Sequence, residues 1–239
     1  MSLRDVPAAL LCGGLGTRLR SVSAGRQKTL VDIRGRPFLK ILVDWAARQG
    51  IRRFVFCTGY LGHQVREFFT GRYDGLDLAF SQEESPLGTA GALSNCRKLL
   101  GNRAALVMNG DSFCPLDIAA FIRFHRRQSS IATVAVVAPS TRNDGGYVVT
   151  AKDGRIVSFQ EKKYEPSRCL NAGIYALEPA VLDAIPEGRA SSLEREVLPS
   201  LLGRGVYAYA ASQPLHDIGT PDRLKAFQAA CSEGLIPLP

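Results

Sequence analysis

The 239-residue chain is 46% hydrophobic and 22% charged, which excludes a disordered or fibrous protein and suffices for one large domain with a substantial core. No run approaches the roughly 18 apolar residues of a membrane helix. The formal net charge of +8 arises wholly in residues 1–75, which hold 13 Lys and Arg against 5 Asp and Glu, whereas residues 76–239 hold 17 of each; that imbalance suits an anionic ligand. Aromatic residues do not interleave with the basic ones as a nucleic-acid stacking platform requires, so nucleic acid is not the expected partner.

In chain order, the apolar run Ala8 to Leu11 has the composition of a buried strand. It breaks into Gly13, Gly14 and Gly16, after which Thr17 and Arg18 open a helical pattern. Glycines there let backbone N–H groups approach an anion, the expected helix N-terminus adds partial positive charge, and Arg18 supplies a planar fork of donors. Phosphate is the natural ligand; an ordinary strand-to-helix turn is the alternative. The apolar run after Arg4 lacks a small-residue cleavage pattern, so it reads as a first strand in a cytoplasmic protein. Six scattered cysteines with no CxxC pair read as buried, reduced thiols, and His63 and His125 read as helix-surface residues.

Beyond Lys28, a helix opens at Pro37. Phe38, Ile41, Leu42, Trp45 and Ala46 fall at helical spacing, with Gly50 just past the end. Strands are predicted at 53–58 and 77–82, helices at 61–69 and 88–100, then a strand at 104–108, a helix at 117–128 and a buried strand at 131–138. This alternation predicts an α/β fold with a doubly wound, mostly parallel sheet, in which ligands bind beyond the carboxyl ends of the strands. The glycine loop and Asn109-Gly110-Asp111 each follow a strand and belong on that edge. From Gly145, short strands at 147–150, 156–160 and 171–177 predict a smaller, partly antiparallel subregion; helices return at 192–202 and 221–231.

Two nucleotide-binding patterns fail: GxGxxG would need glycine at Leu19, and a P-loop would need Lys28 far closer to the glycines. The chain instead resembles the sugar-phosphate nucleotidyltransferase family, whose signature is GGxGTRL followed by a Pro-Lys pair. Gly13, Gly14, Gly16, Thr17, Arg18 and Leu19 match in full, Lys28 takes the lysine position, and Gln27 stands where proline is usual. Further motifs follow in family order: EESPLGTAGAL (83–93), VMNGDS (107–112), FQEKK (159–163), NAGIY (171–175), SLEREVLP (192–199) and HDIGTP (216–221). The resemblance thus covers nearly the whole chain. It implies a Rossmann-like nucleotidyltransferase fold in one domain, 1–239, with residues 1–140 on the nucleotide side and 141–239 carrying the sugar side and a second metal ligand.

In the implied reaction, an oxygen of a sugar 1-phosphate attacks the α-phosphorus of a nucleoside triphosphate and pyrophosphate leaves in line. Repulsion between two anions is the obstacle, so cations and positioned donors, rather than a covalent nucleophile, must carry catalysis. The resemblance assigns Arg18 and the loop of Gly13, Gly14, Gly16 and Thr17 to the pyrophosphate portion. It assigns Lys28 to the α-phosphate, and Leu11, Glu83, Pro86, Gly88 and Thr89 to the rest of the nucleotide. Asp111 and Asp217 are the implied Mg²⁺ ligands, a hard cation that needs only one or two carboxylates beside substrate phosphates. Lys162 resembles the lysine that grips the sugar phosphate, and Asn109, Gly146, Glu161, Asn171 and Glu194 complete the sugar side. Read singly, Asp111 is equally a turn residue, Asp217 a loop acid near a helix start and Lys162 a solvated charge. Glu194 has a rival role as the acid of a capping box opened by Ser191. Gly145-Gly146-Tyr147 stands where relatives commonly show Arg-Tyr-Gly, which shifts the usual glycine by one.

Glu83 falls where thymidylyl- and uridylyl-transferring relatives carry Gln. A carboxylate accepts from both N1–H and the exocyclic amine of guanine at once, whereas adenine presents an acceptor at N1 and uracil flanks its N–H with carbonyls. Guanine, and hence GTP, is favoured, with Glu84 as the alternative contacting acid. Within the family, compact guanylyltransferases share GGLGTRLRSV, GRPFL and SLE…LP. That resemblance implies D-glycero-alpha-D-manno-heptose 1-phosphate as acceptor and a role in capsule or lipopolysaccharide precursor supply. The alternatives are a uridylyl-, thymidylyl- or guanylyltransferase acting on glucose, mannose or MurNAc 1-phosphate, or a non-catalytic nucleotide-sensing subunit. No membrane partner is expected, and a homodimer is left open.

Overall fold

The computed structural model describes residues 2–138, 145–161 and 168–236. Strand β1 (Ala8–Leu11) enters the glycine loop, which leads into a 3-10 turn at Thr17–Leu19 and helix α1 (Arg20–Ser23). A second 3-10 turn, Lys28–Leu30, precedes the hairpin β2 (Asp32–Ile33) and β3 (Arg36–Pro37). The predicted alternation then runs α2 (Phe38–Arg48), β4 (Arg53–Thr58), α3 (Gly62–Phe69), β5 (Asp77–Gln82), α4 (Gly88–Leu100) and β6 (Ala105–Asn109). Next come β7 (Ser112–Phe113), α5 (Ile118–Arg127), β8 (Ala132–Val137), β9 (Gly146–Thr150), β10 (Ile156–Glu161) and β11 (Cys169–Leu177). The chain closes with α6 (Pro179–Asp183), a π-helical turn at Leu193–Val197, α7 (Leu198–Ser200), β12 (Val206–Ala210), β13 (His216–Asp217) and α8 (Pro221–Ser232).

Seven strands form the path β10-β9-β11-β6-β1-β4-β5, and β8 and β12 complete a nine-stranded sheet through β11. The contacts among β6, β1, β4 and β5 are parallel. Those of β11 with β6, β8 and β9 are antiparallel, as is β10 with β9. The antiparallel subregion is therefore an extension of the main sheet, and strands from both parts of the chain share one ladder. β12, which the sequence reading passes over, runs parallel to β8; its VYAYA stretch lies just past the Gly203 and Gly205 turn.

Side-chain alternation along the central strands sorts the core into two layers. Ala8, Leu10, Phe54, Phe56, Leu106 and Met108 point into one cluster, and Ala9, Val55, Cys57, Ala105 and Val107 into the other. Period-2 alternation with both faces apolar is what a sheet covered on both sides demands. The apolar stripe of α2 buries Phe38, Ile41, Leu42 and Trp45 in the first layer. Phe38 meets Phe227 of α8 edge-on at 5.2 Å between ring centres, and Trp45 meets Phe113 at 5.6 Å. α8 is thereby anchored against the same layer.

Three expectations change. The helix read from Thr17 is only a 3-10 turn and one α turn, which ends at left-handed Ala24, φ 47°, so no long aligned peptide array stands behind the glycine loop. The helix read at 192–202 is a π-helical turn followed by a three-residue α segment. His125 is not a surface residue: it is fully buried, its ring nitrogens 2.8 Å from the Thr133 hydroxyl and 3.1 Å from the Glu178 carboxylate. His63 is exposed as expected. All six cysteines are free, five buried and Cys169 half-buried. No helix among the described residues is long and apolar enough to cross a membrane.

Candidate active site

The glycine loop leaves β1 with the Cys12 amide donating to the Cys57 carbonyl at 2.9 Å. Among the described residues, the amides of Gly13, Gly14 and Gly16 donate to no backbone carbonyl, so they remain available to an anion. The glycines also make room for two side chains. A Cβ at Gly14 would lie 3.1 Å from the Lys28 ammonium and one at Gly16 2.9 Å from Lys28 Cβ, while a Cβ at Gly13 would lie 2.6 Å from a Glu83 carboxylate oxygen. Gly16 additionally sits at φ 59°, where a side chain is strained.

Lys28 reaches across to Asp111, its Nζ donating to Oδ2 at 2.6 Å. Burial would push the Asp111 carboxyl up; the Lys28 charge and hydrogen bond, with the Ser112 hydroxyl, outweigh it and hold the carboxyl below the usual range. Asp217 arrives from 106 residues away through a two-residue ladder: β13 pairs with β7 so that Asp217 faces Ser112, and the Ile218 amide donates to the Asp111 carbonyl at 3.0 Å. Asp217 Oδ1 accepts from the Gly219 amide at 2.9 Å and lies 3.4 Å from an Arg223 nitrogen.

Two cavities meet at this point. The smaller, about 260 Å³, is lined by Leu11, Gly13, Gly14, Lys28, Glu83 and Pro86, with Gly88, Thr89, Asn109 and Asp111. The larger, about 470 Å³, shares those last four residues and adds Arg18, Gly146, Asn171, Glu194 and Asp217 among others. The structure thus gathers the sequence-predicted residues into two compartments with a common wall. Arg18 stands on the larger side beside Gly219, away from the compartment that holds the other nucleotide candidates. Gly16 borders a separate exposed recess, and Thr17 is exposed at the start of its turn. Glu161 pairs with Gly146 across β10 and β9, and Lys162 lies outside the described residues.

The competing readings of Glu194 are separated by geometry. Ser192, not Ser191, caps the π-helical turn, and Glu196 returns the bond by accepting from the Ser192 amide at 3.0 Å. Glu194 is left to face the cavity, where it accepts from the hydroxyls of Thr89 at 2.7 Å, Tyr175 at 2.9 Å and Ser192 at 3.0 Å. Burial, reinforced by the neighbouring Glu194 charge, pushes the Tyr175 phenol well up, so it stays a donor. Asn171 lines the cavity with both ends of its amide engaged, one to the Tyr175 hydroxyl at 3.0 Å and the other from the Gly173 amide at 2.9 Å. Asn109 differs: its Oδ1 is buried with no hydrogen-bond partner, an unsatisfied acceptor on the shared wall. The shifted Gly145-Gly146-Tyr147 still turns both glycines to the larger cavity, because Tyr147 is fully buried in the core.

Burial raises the Glu83 carboxyl, opposed by the bond it accepts from the Leu87 amide at 3.2 Å. No reactive thiol competes: burial pushes Cys12 up to about 12, and the Cys96 hydrogen bond and burial raise Cys57. Tyr175 and Arg195 fall inside quoted motifs without being singled out, while Arg223 carries no signal beyond its position six residues after Asp217; all three line the larger cavity.

A doubly wound sheet with free loop amides, a lysine–carboxylate pair and two joined polar cavities defines an enzyme that transfers a phosphorus group between anionic molecules. The chain belongs to the nucleotidyl transferase family, whose model matches residues 8–233. It is 36% identical to a mannose-1-phosphate guanylyltransferase of Mycobacterium tuberculosis over 100% of this chain and 68% of that protein. It is 29% identical to a D-glycero-alpha-D-manno-heptose 1-phosphate guanylyltransferase of Aneurinibacillus thermoaerophilus, over 92% of this chain and 96% of that one. The crystal structure of HddC from Yersinia pseudotuberculosis complexed with GMP-PN superposes with a TM-score of 0.81 at 29% identity, covering 96% of this chain and 99% of that chain.

Proposed function

We propose that this protein is a guanylyltransferase that joins GTP to a sugar 1-phosphate of manno configuration, releasing pyrophosphate and a GDP-sugar. The observation that carries the reading is the pair of cavities sharing Gly88, Thr89, Asn109 and Asp111, with the Lys28 ammonium at their junction. Two substrates seated one in each cavity bring their phosphates together at that wall, where proximity lowers the entropic part of the barrier. Glu83, over the bare faces of Gly13 and Gly59, accepts from guanine. Lys28 is a point charge for the α-phosphate, and the loop amides hold the phosphates that leave. Glu194, with Thr89 and Tyr175 fixing it, presents a carboxylate to sugar hydroxyls, and Arg18 stands on the acceptor side.

The same reading assigns Mg²⁺ to Asp111 and Asp217. Their backbones lie one ladder rung apart, both carboxylate residues line the larger cavity, and the unsatisfied Asn109 acceptor on the shared wall suits a site completed by ligand, so the residues present fit such an ion. Bound there, it would supply positive charge to the reacting phosphates.

For the acceptor we propose D-glycero-alpha-D-manno-heptose 1-phosphate, supported by the relative of matching length, and with it supply of capsule or lipopolysaccharide precursors. Mannose 1-phosphate is the second reading, favoured by the mycobacterial likeness at 36% identity. Pyrophosphate release measured for GTP, ATP, UTP and dTTP, each with heptose, mannose and glucose 1-phosphates, decides between them. The expected result is turnover confined to GTP with a manno-configured sugar; absence of turnover with that pairing overturns the proposal.

A further inference from the structure

Where the family signature has proline before the lysine, this chain has Gln27, and the residue is 1% exposed. A buried primary amide in a loop must satisfy two donors and an acceptor. Gln27 engages the acceptor and one of the donors, in a particular direction. Its Nε2 donates to the carbonyl of Cys12, the residue that joins β1 to the glycine loop. Its Oε1 accepts from both the amide and the hydroxyl of Thr29, each at 2.6 Å, which caps the 3-10 turn carrying Lys28. Its backbone N–H donates to Gln64 of α3 at 2.7 Å. Thr29 is itself fully buried, so the turn is fixed on one side by packing and on the other by this amide.

We infer that Gln27 is a positioning residue: it ties the lysine-bearing turn to the end of β1 and so sets where the Lys28 ammonium stands relative to Gly14 and Asp111. The backbone at Gln27 has φ −59°, the value a proline ring would impose. In this chain a hydrogen-bonded amide therefore supplies the restraint that a ring supplies elsewhere. Lys28 is a long, flexible side chain whose usefulness as a point charge depends on its Cα being held, and a displacement of about 1 Å at such a group can cost about 10²-fold in rate.

This inference rests on the guanylyl-transfer reading of the same site, and its test keeps the two separable. Turnover of GTP with the manno-configured sugar phosphate is measured for wild type, Gln27→Ala, Gln27→Pro, Lys28→Ala and the Gln27→Ala/Lys28→Ala pair. Amide hydrogen exchange of residues 27–31 is followed on each. Gln27→Ala is expected to lower kcat about 10- to 100-fold with KM changed less than about threefold, and to speed exchange at Thr29 and its neighbours. Gln27→Pro, which presets φ but loses the side-chain bonds and the N–H that donates to Gln64, is expected to recover part of the lost kcat, staying above Gln27→Ala and below wild type. In the Lys28→Ala background, Gln27→Ala should add less than about a twofold loss, since coupled residues are not additive. Equal losses in both backgrounds, or no rescue by proline, overturn the inference. Unchanged exchange in Gln27→Ala overturns it even if wild type turns out not to use GTP, which would sink the functional reading alone.

Discussion

The smaller cavity sets small residues that follow parallel strands or open a helix, Gly13, Gly14, Gly88 and Thr89, beside the longer side chains of Leu11, Leu15, Lys28 and Pro86, with Glu83 as its one acid before the shared wall. The larger also has glycines in its wall, Gly145, Gly146, Gly173 and Gly219, but adds the carboxylates Glu194 and Asp217 and the arginines Arg18, Arg195 and Arg223, which come from the 3-10 turn at Thr17–Leu19, the π-helical turn, β13 and α8. The first draws the amides of Gly13 and Gly14 from one contiguous loop, because exposed amides need only glycine and a strand end, and its other walls from segments as far along as Asp111. The second must assemble groups across more than 100 residues, because hydroxyl recognition and charge balance need acids and cations facing each other. Under the proposed function the two cavities therefore fail differently: the smaller through the space beside its glycine loop, the larger through side-chain chemistry.

Asp111 belongs to both compartments, so Asp111→Asn should damage the site most. We expect at least about a 10²-fold loss of turnover, as for removal of one preorganised electrostatic group, with thermal unfolding close to wild type. Near-normal turnover would remove Asp111 from the reaction. Gly88, also on the shared wall, tests the space that its backbone needs. It sits at φ 71°, and an added Cβ would lie 2.5 Å from the Ser191 carbonyl oxygen. Gly88→Ala should destabilise by about 3 kcal/mol, seen as a drop in Tm of roughly 6–12 °C, and a stable, active variant would show that the wall gives way easily.

Glu83 sharpens the comparison through pH. Only the ionised carboxylate accepts both guanine donors, and burial raises its pKa. kcat/KM for GTP should therefore fall as pH drops, beginning above the ordinary carboxylate range. Glu83→Gln should remove that acid limb and relax the preference for GTP by about 5- to 150-fold, the worth of a bidentate base contact. An unchanged pH profile in that variant would assign base reading elsewhere. The smallest effect belongs to the acceptor side. Glu194→Gln keeps the shape and loses the charge that three hydroxyls satisfy. We expect KM for the sugar phosphate to rise about 5- to 10-fold with KM for GTP unchanged, roughly one charged hydrogen bond; a matching rise for GTP would erase the division between the cavities.

Much of this is legible in the sequence. Strands and helices from 37 to 138 fall where apolar spacing puts them, because a sheet covered on both faces requires unbroken apolar strands and its helices require one apolar stripe. The misses have local causes. His125 reads as a surface residue among arginines, yet it is buried where Thr133 and Glu178 meet it from other elements. The turn after Gly16 opens as a helix would but stops at left-handed Ala24.

The sequence by itself determined the alternation of elements, the glycine loop and the acids and lysines available to a phosphate site, since these depend on residue type and near-neighbour spacing. Only the tertiary structure decided that Asp217 stands beside Asp111, that Glu194 is freed from capping, that Arg18 lines the larger cavity and that Gln27 holds the Lys28 turn. Each of those depends on contacts between segments far apart in the chain, and spacing along a sequence carries no record of which distant backbone a side chain will meet.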